Sequence, residues 1–192
     1  MQIDAATLDK AASYRLMISA IAPRPIAWVG SISADGVDNL APFSYFMGVS
    51  SAPPRLAISV ARGRGGTLKH TARNILATNE FTVSTVEEDL LAAMHDTSRY
   101  FAESEFDAVH LARAPSSTIA PPRPSVARVA MECRLYTALD LESTHLFIGD
   151  VLTFHVADEL YKDGVVDILS YRPVARLGGD DYAFLGQRVT LR

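Results

Sequence analysis

Cysteine and tryptophan occur once each in the 192 residues, as Cys133 and Trp28. A single cysteine excludes an internal disulfide and any zinc site built from several thiolates. Long apolar runs are missing as well. Nothing approaches the roughly 20 residues that cross a bilayer, so no membrane partner is expected. The N-terminal stretch "MQIDAATLDKAASYRL" has no basic segment followed by an apolar one. No signal peptide is therefore expected, and a cytoplasmic location is. Basic charge is in the minority, with 18 Lys and Arg against 22 Asp and Glu and a net charge of −4. That balance argues against a nucleic-acid-binding face. His95, His110 and His155 share no spacing that suits a metal, and no metal is expected.

The 48% hydrophobic and 21% charged composition fits one globular domain over residues 1–192, long enough to bury a proper core. Leu8, Ala12 and Leu16 at helical spacing predict a leading helix over 5–16. Strand patterns follow at 25–33, at 37–51 with a break near Pro42, at 54–61 and at 80–86. Asp35 and Asp38 flank a turn glycine and need no function. Helices are predicted at 71–79, with Thr71 as N-cap, and at 87–97. The Pro-, Ser- and Ala-rich segment 110–125 reads as a long surface connection. Two long strands, 127–141 and 145–158, are joined by "EST". Cys133 shares one strand face with Val129, Met131 and Leu135 and is read as a packed thiol, while His155 is read as an outward position. The tail carries Leu177, Tyr182, Phe184 and Leu185. Strands dominate, and antiparallel strands that close on themselves remove exposed edges, so a mainly β barrel with a few short helices is expected.

Against the acidic background, "RGRGGTLKHTARNI" (62–75) concentrates basic residues between a predicted strand and a predicted helix. Two readings are open: a phosphate-holding loop or a solvated turn. A helix N-terminus offers free N–H donors and partial positive charge. Gly65 and Gly66 permit close backbone approach, Arg62 and Lys69 bring charge, and Thr67 and Thr71 bring hydroxyls. The loop is not a Walker A sequence, and no GxGxxG is present.

The ordered set "PRPIAWVGS", "NLAPFSYF", "KHTARNI", "HLFIGDV" and "RLGGDDY" resembles the flavin reductase-like family over roughly residues 14–186. The resemblance implies an FMN-binding split β-barrel of antiparallel, Greek-key type, and a homodimer with the flavin near the interface. It lays Trp28, Val29, Gly30 and Ser31 along the isoalloxazine edge, although Trp28 is equally readable as a core residue. It places Ala41, Pro42, Phe43 and Ser44 on the neighbouring strand. Lys69, His70 and Thr71 take the phosphate, with His70 standing where the family usually has an acid. His145 is implied near the flavin or nicotinamide, with a polar strand-start residue as the other reading. Tyr171 and Tyr182 are read as core or as cover for the ring.

The function implied is an FMN-dependent oxidoreductase, an NAD(P)H:flavin reductase that passes hydride to flavin N5 and needs no protein acid or base. Its electrons would go to free flavin or to a protein acceptor. A flavoredoxin-like electron carrier and a non-enzymatic flavin-binding module are the alternatives.

Overall fold

A computed structural model describes residues 1–191 of the chain. Its frame is one antiparallel sheet of seven strands: β1 Ala27–Ile32, β2 Asp38–Phe43, β3 Phe46–Ser51, β4 Pro54–Ala61, β5 Glu80–Ser84, β6 Val129–Asp140 and β7 Thr144–Val156. They run side by side in the order β2-β1-β5-β6-β7-β4-β3. The two edge strands, β2 and β3, are separated in sequence only by Ser44 and Tyr45. Trans peptides stretch no more than about 3.6 Å per residue, so Phe43 and Phe46 lie within about 11 Å of each other. The sheet must curl until its edges nearly meet, which makes a barrel whose seam is not zipped by a ladder. This is the expected split barrel.

Period-two alternation then sorts the side chains. Ala27, Val29 and Phe43 point inward and join Leu56, Ile58, Val60, Phe81, Val83, Cys133 and Phe147 in the barrel core. Ile26, Trp28 and Leu40 point outward into a second core with Val86, Met94, Phe106 and Val174. Cys133 is a packed thiol, and burial pushes its pKa well up from the ordinary thiol value.

Among the described residues five α-helices decorate this frame: α1 Lys10–Ala20, α2 His70–Thr78, α3 Leu91–Asp96, α4 Glu105–Ala108 and α5 Ile168–Tyr171. The leading helix starts later than predicted, because Asp9 caps it through the Ala12 N–H. None of its residues is buried. The 87–97 pattern divides into a 3₁₀ turn, Glu88–Leu90, and α3. Helix α2 is the one that matters for the barrel, since its Ala72 and Ile75 enter the core.

The 110–125 connection is not a free loop. Arg113–Ala114 pairs with Arg123–Pro124, and the turn between them is tied to β6 through Glu132. That fully buried carboxylate accepts the Ser117 and Thr118 N–H groups at 2.6 and 2.7 Å and the Thr118 hydroxyl. Burial alone would raise its pKa, but these bonds and one with His155 Nε2 at 2.6 Å overcome it and hold the carboxyl at about 2. His155, expected as an outward residue, is half-buried and paired with that carboxylate. At the C-terminal end, Ala175–Gly178 and Asp181–Ala183 form a small sheet with Arg24–Pro25.

Candidate functional site

The loop 62–69 follows β4 and leads into α2. Gly65 and Gly66 take positive φ, 68° and 78°, a conformation in which a Cβ is strained. Thr67 closes the turn, with its carbonyl accepting the Gly63 N–H and its hydroxyl donating to the Arg64 carbonyl. Arg62 braces the same turn. Its guanidinium donates to the Gly66 carbonyl at 3.1 Å and to Asp140 at 2.7 Å. It does not line the cleft, where a phosphate contact was expected, and its charge is matched by Asp140.

Helix α2 begins at His70, with Lys69 in the cap position and no side chain capping the free N–H groups. Thr71 is therefore not the N-cap. It sits in the first turn, buried, and its Oγ1 accepts the Asn39 side-chain amide at 3.0 Å. The first N–H groups of any helix have no intrahelical acceptor, and here they open into a cleft of about 520 Å³. That volume falls within the usual range for small-molecule sites, about 300–1,000 Å³.

Strand β2 supplies one wall of the cleft, with Asn39, Ala41, Pro42 and Phe43. Leu40 turns its N–H away from β1 and donates to Glu105 Oε2 at 2.9 Å. Pro42, two residues on, has no N–H to leave unpaired at this sheet edge. The facing wall is Thr97–Tyr100, and Lys69, His70, Arg73 and Arg99 bring basic groups to the same cleft. Tyr100 is 84% exposed and meets the His70 ring edge-on, with centroids 6.1 Å apart. Glu105 is the buried acid of the cleft. Burial raises its pKa above the ordinary carboxylate value, against the opposing pull of the Leu40 N–H.

A second depression, lined by Glu88, Asp89, His95, Asp96, Asp180 and Tyr182 among others, is acidic. It would repel a phosphate, so the basic cleft is the candidate site.

Of the residues singled out in the sequence, Ala41, Pro42, Phe43, Thr67, Lys69, His70 and Thr71 come together there. Trp28, Val29, Gly30 and Ser31 do not. Trp28 is 0% exposed and packs in the outer core, its indole N–H donating to Thr97 Oγ1 at 2.9 Å. Val29 belongs to the barrel core. Gly30 is needed because a Cβ there would come within 2.3 Å of the Pro122 carbonyl oxygen. Ser31 is buried and accepts from Asn74 at 3.1 Å. No surface of these four is left for a flavin edge. Ser44 is likewise off the cleft, its hydroxyl accepting from Arg24 Nε at 3.4 Å.

His145 is 7% exposed, stacks on Phe147 at 5.8 Å and directs Nε2 toward Asp140 at 3.7 Å. Its Nδ1 is buried without a partner. It is absent from the cleft lining and holds a buried strand position, where a contact with the reacting ring was expected. Tyr171 is buried and bonds the Thr85 hydroxyl, while Tyr182 packs beside the outer core. Asp38, assigned no function, pairs with Arg113.

Sequence reasoning did not assign Asn39, Leu68, Arg73, Glu105 or the segment Thr97–Tyr100 to the site. Asn39 was visible within "NLAPFSYF", and Arg73 lies one helical turn beyond His70. Thr97–Tyr100 and Glu105 carry no local signal.

The sequence pattern of the family described as "Flavin reductase like domain" matches residues 19–173. A protein of Aquifex aeolicus is 38% identical over 172 residues, 88% of each chain. Among solved structures, nitrilotriacetate monooxygenase component B from Bacillus cereus superposes with a TM-score of 0.94 at 35% identity, covering 100% of this chain and 98% of that one. The 2-nitrobenzoate 2-nitroreductase of Pseudomonas fluorescens gives 0.92 at 31% identity, over 100% and 95%. A family match across most of the chain, joined to the split barrel and its basic cleft, places this protein in the flavin reductase-like family of flavin-related oxidoreductases.

Proposed function

We propose that the protein is an FMN-dependent NAD(P)H:flavin oxidoreductase and that the cleft between β2, α2 and Thr97–Tyr100 holds the FMN. The observation that carries this reading is the start of α2. Its N–H groups are uncapped, Lys69 occupies the cap position, and the Thr71 hydroxyl lies in the same turn. A terminal phosphate would complete that helix end as a side-chain cap does elsewhere. FAD would place a diphosphate there, and the sequence has no dinucleotide fingerprint. Ala41, Pro42 and Phe43 offer an apolar strand edge for the ring, and Tyr100 with His70 offers aromatic cover at the rim.

When bound, the flavin supplies the hydride-accepting centre at N5. The chain's residues bind and orient it: Lys69 neutralises phosphate charge, the helix start donates hydrogen bonds, and the walls limit water. No side chain is needed to move a proton. The Bacillus cereus relative is one component of a monooxygenase, and by that likeness the electrons here pass to free flavin or a separate acceptor.

We propose a cytoplasmic homodimer. Among the described residues no helix is long and apolar enough to cross a membrane. Edge strand β3 exposes Met47 and Val49, and the tail exposes Phe184 and Leu185. An unpaired apolar edge of this kind invites a second copy. Light scattering at micromolar concentration should give twice 20.8 kDa; a mass of one chain would refute the dimer.

Stopped-flow mixing of FMN-loaded protein with NADH and with NADPH tests the activity. Bleaching of the flavin absorbance by one of them is expected. Bound flavin that neither nicotinamide reduces would leave an electron carrier instead.

A further inference from the structure

We propose that Asn39 is a positioning residue that aims the Thr71 hydroxyl proton into the cleft, so that Thr71 donates to the ligand's phosphate. The inference rests on the cleft being the phosphate site. Its basis is the chemistry of one buried pair. Asn39 is 5% exposed, Thr71 is 1% exposed, and the Asn39 amide N–H donates to Thr71 Oγ1 at 3.0 Å. A hydroxyl oxygen that accepts one bond keeps its own proton for another partner. Both residues line the cleft beside the uncapped start of α2. The proton is left to point toward the ligand.

Asn39 is not needed to dock the helix. One turn further on, Asn74 donates to Ser31 Oγ at 3.1 Å, and Ser31 is the cross-strand partner of Asn39. Ala72 and Ile75 anchor the same helix in the barrel core. With those contacts in place, the Asn39 bond serves the direction of one hydroxyl. The polarity of the pair is therefore the feature to test.

The readout is the ratio of FMN affinity to riboflavin affinity, measured by flavin fluorescence quenching alongside urea unfolding. Asn39→Asp keeps the shape but offers only acceptors, so it captures the Thr71 proton; Asn39→Leu removes the bond without adding charge. Both should lower the ratio by about 10-fold, the loss expected for a hydrogen bond to a charged group. Thr71→Val should lower it by a similar factor in the wild type, but by less than about twofold when Asn39→Leu is already present. Thr71→Ser, which keeps the hydroxyl, should retain the ratio. Equal losses for FMN and riboflavin, or additive effects of Asn39→Leu and Thr71→Val, would overturn the proposal. Should Asn39→Leu fail to fold, Asn39→Ala, which also removes the bond without adding charge, takes its place in the cycle with Thr71→Val. Lys69→Ala is the control for the underlying reading. If it leaves the ratio unchanged, the cleft does not hold the phosphate; if it lowers the ratio and the Asn39 variants do not, only the positioning role falls.

Discussion

Strand β1 and the loop that enters α2 carry equally recognisable sequence, yet they do different work. "AWVGS" is buried from Ala27 to Ser31, paired on both sides, and divided between two cores. "LKHT" exposes Lys69 and His70, buries Thr71, and opens a helix that no side chain caps. A resemblance that spans both therefore mixes residues that pack the cores with residues that line the proposed site. Burial separates them. Gly30 shows the distinction well: it is glycine because Pro122 and Thr82 crowd it, whereas Gly65 and Gly66 have open space and are glycine for their backbone angles.

The difference is most sharply broken at Trp28. Trp28→Ala empties a fully enclosed site in the outer core and should cost about 3–5 kcal/mol in urea unfolding. FMN affinity of the folded fraction should stay at the wild-type value. A large loss of affinity without loss of stability would return Trp28 to the site.

Glu132 gives the next largest effect. Its pKa is held at about 2 in the fold, against 4.5 ordinarily. A depressed carboxyl stabilises the fold fully above pH 4.5, and that share is lost as pH falls toward 2. The share is at most about 3 kcal/mol, at 1.36 kcal/mol per pKa unit. Glu132→Gln should flatten the stability profile over pH 2–4.5 and leave FMN binding intact at pH 7. Unfolding midpoints across that range check it.

Lys69→Ala acts on the other region. It removes a charge-assisted contact with the phosphate, about 1.5–3 kcal/mol of FMN binding, or roughly 10- to 150-fold in Kd. Stability should change by less than about 0.5 kcal/mol, as for an exposed site. Riboflavin titration should be nearly unaffected.

The smallest effect is expected at Gly65. Gly65→Ala meets no neighbour but forces a Cβ into a positive-φ position, for about 1 kcal/mol of destabilisation. FMN affinity should hold. A collapse of affinity would mean that the glycine is kept for ligand approach.

Much of the frame was legible in the sequence because alternation is a local signal. Pro54–Ala61 is the strand predicted there, and the long pair Val129–Asp140 and Thr144–Val156 lies close to the expected bounds. The strand order was not legible. Nothing local says that β5 inserts between β1 and β6, or that two residues, Ser44 and Tyr45, bridge the two edges of one sheet. The site divides in the same way. Lys69, His70 and Thr71 declared themselves as a basic helix start. Thr97–Tyr100 and Glu105 reach the cleft only through the packing of α3 and α4 over the outer core. Arg62 and His145 both face Asp140, which lies 78 residues from Arg62 but close in sequence to His145, and no local pattern announces either pairing.

The measurement that bears most directly on the central claim is a paired titration of the wild-type apoprotein with FMN and with riboflavin. The cleft at the start of α2 predicts FMN binding at least about 10-fold tighter, since the phosphate adds a charge-assisted contact and a helix-end cap. Equal affinities for the two ligands would contradict it.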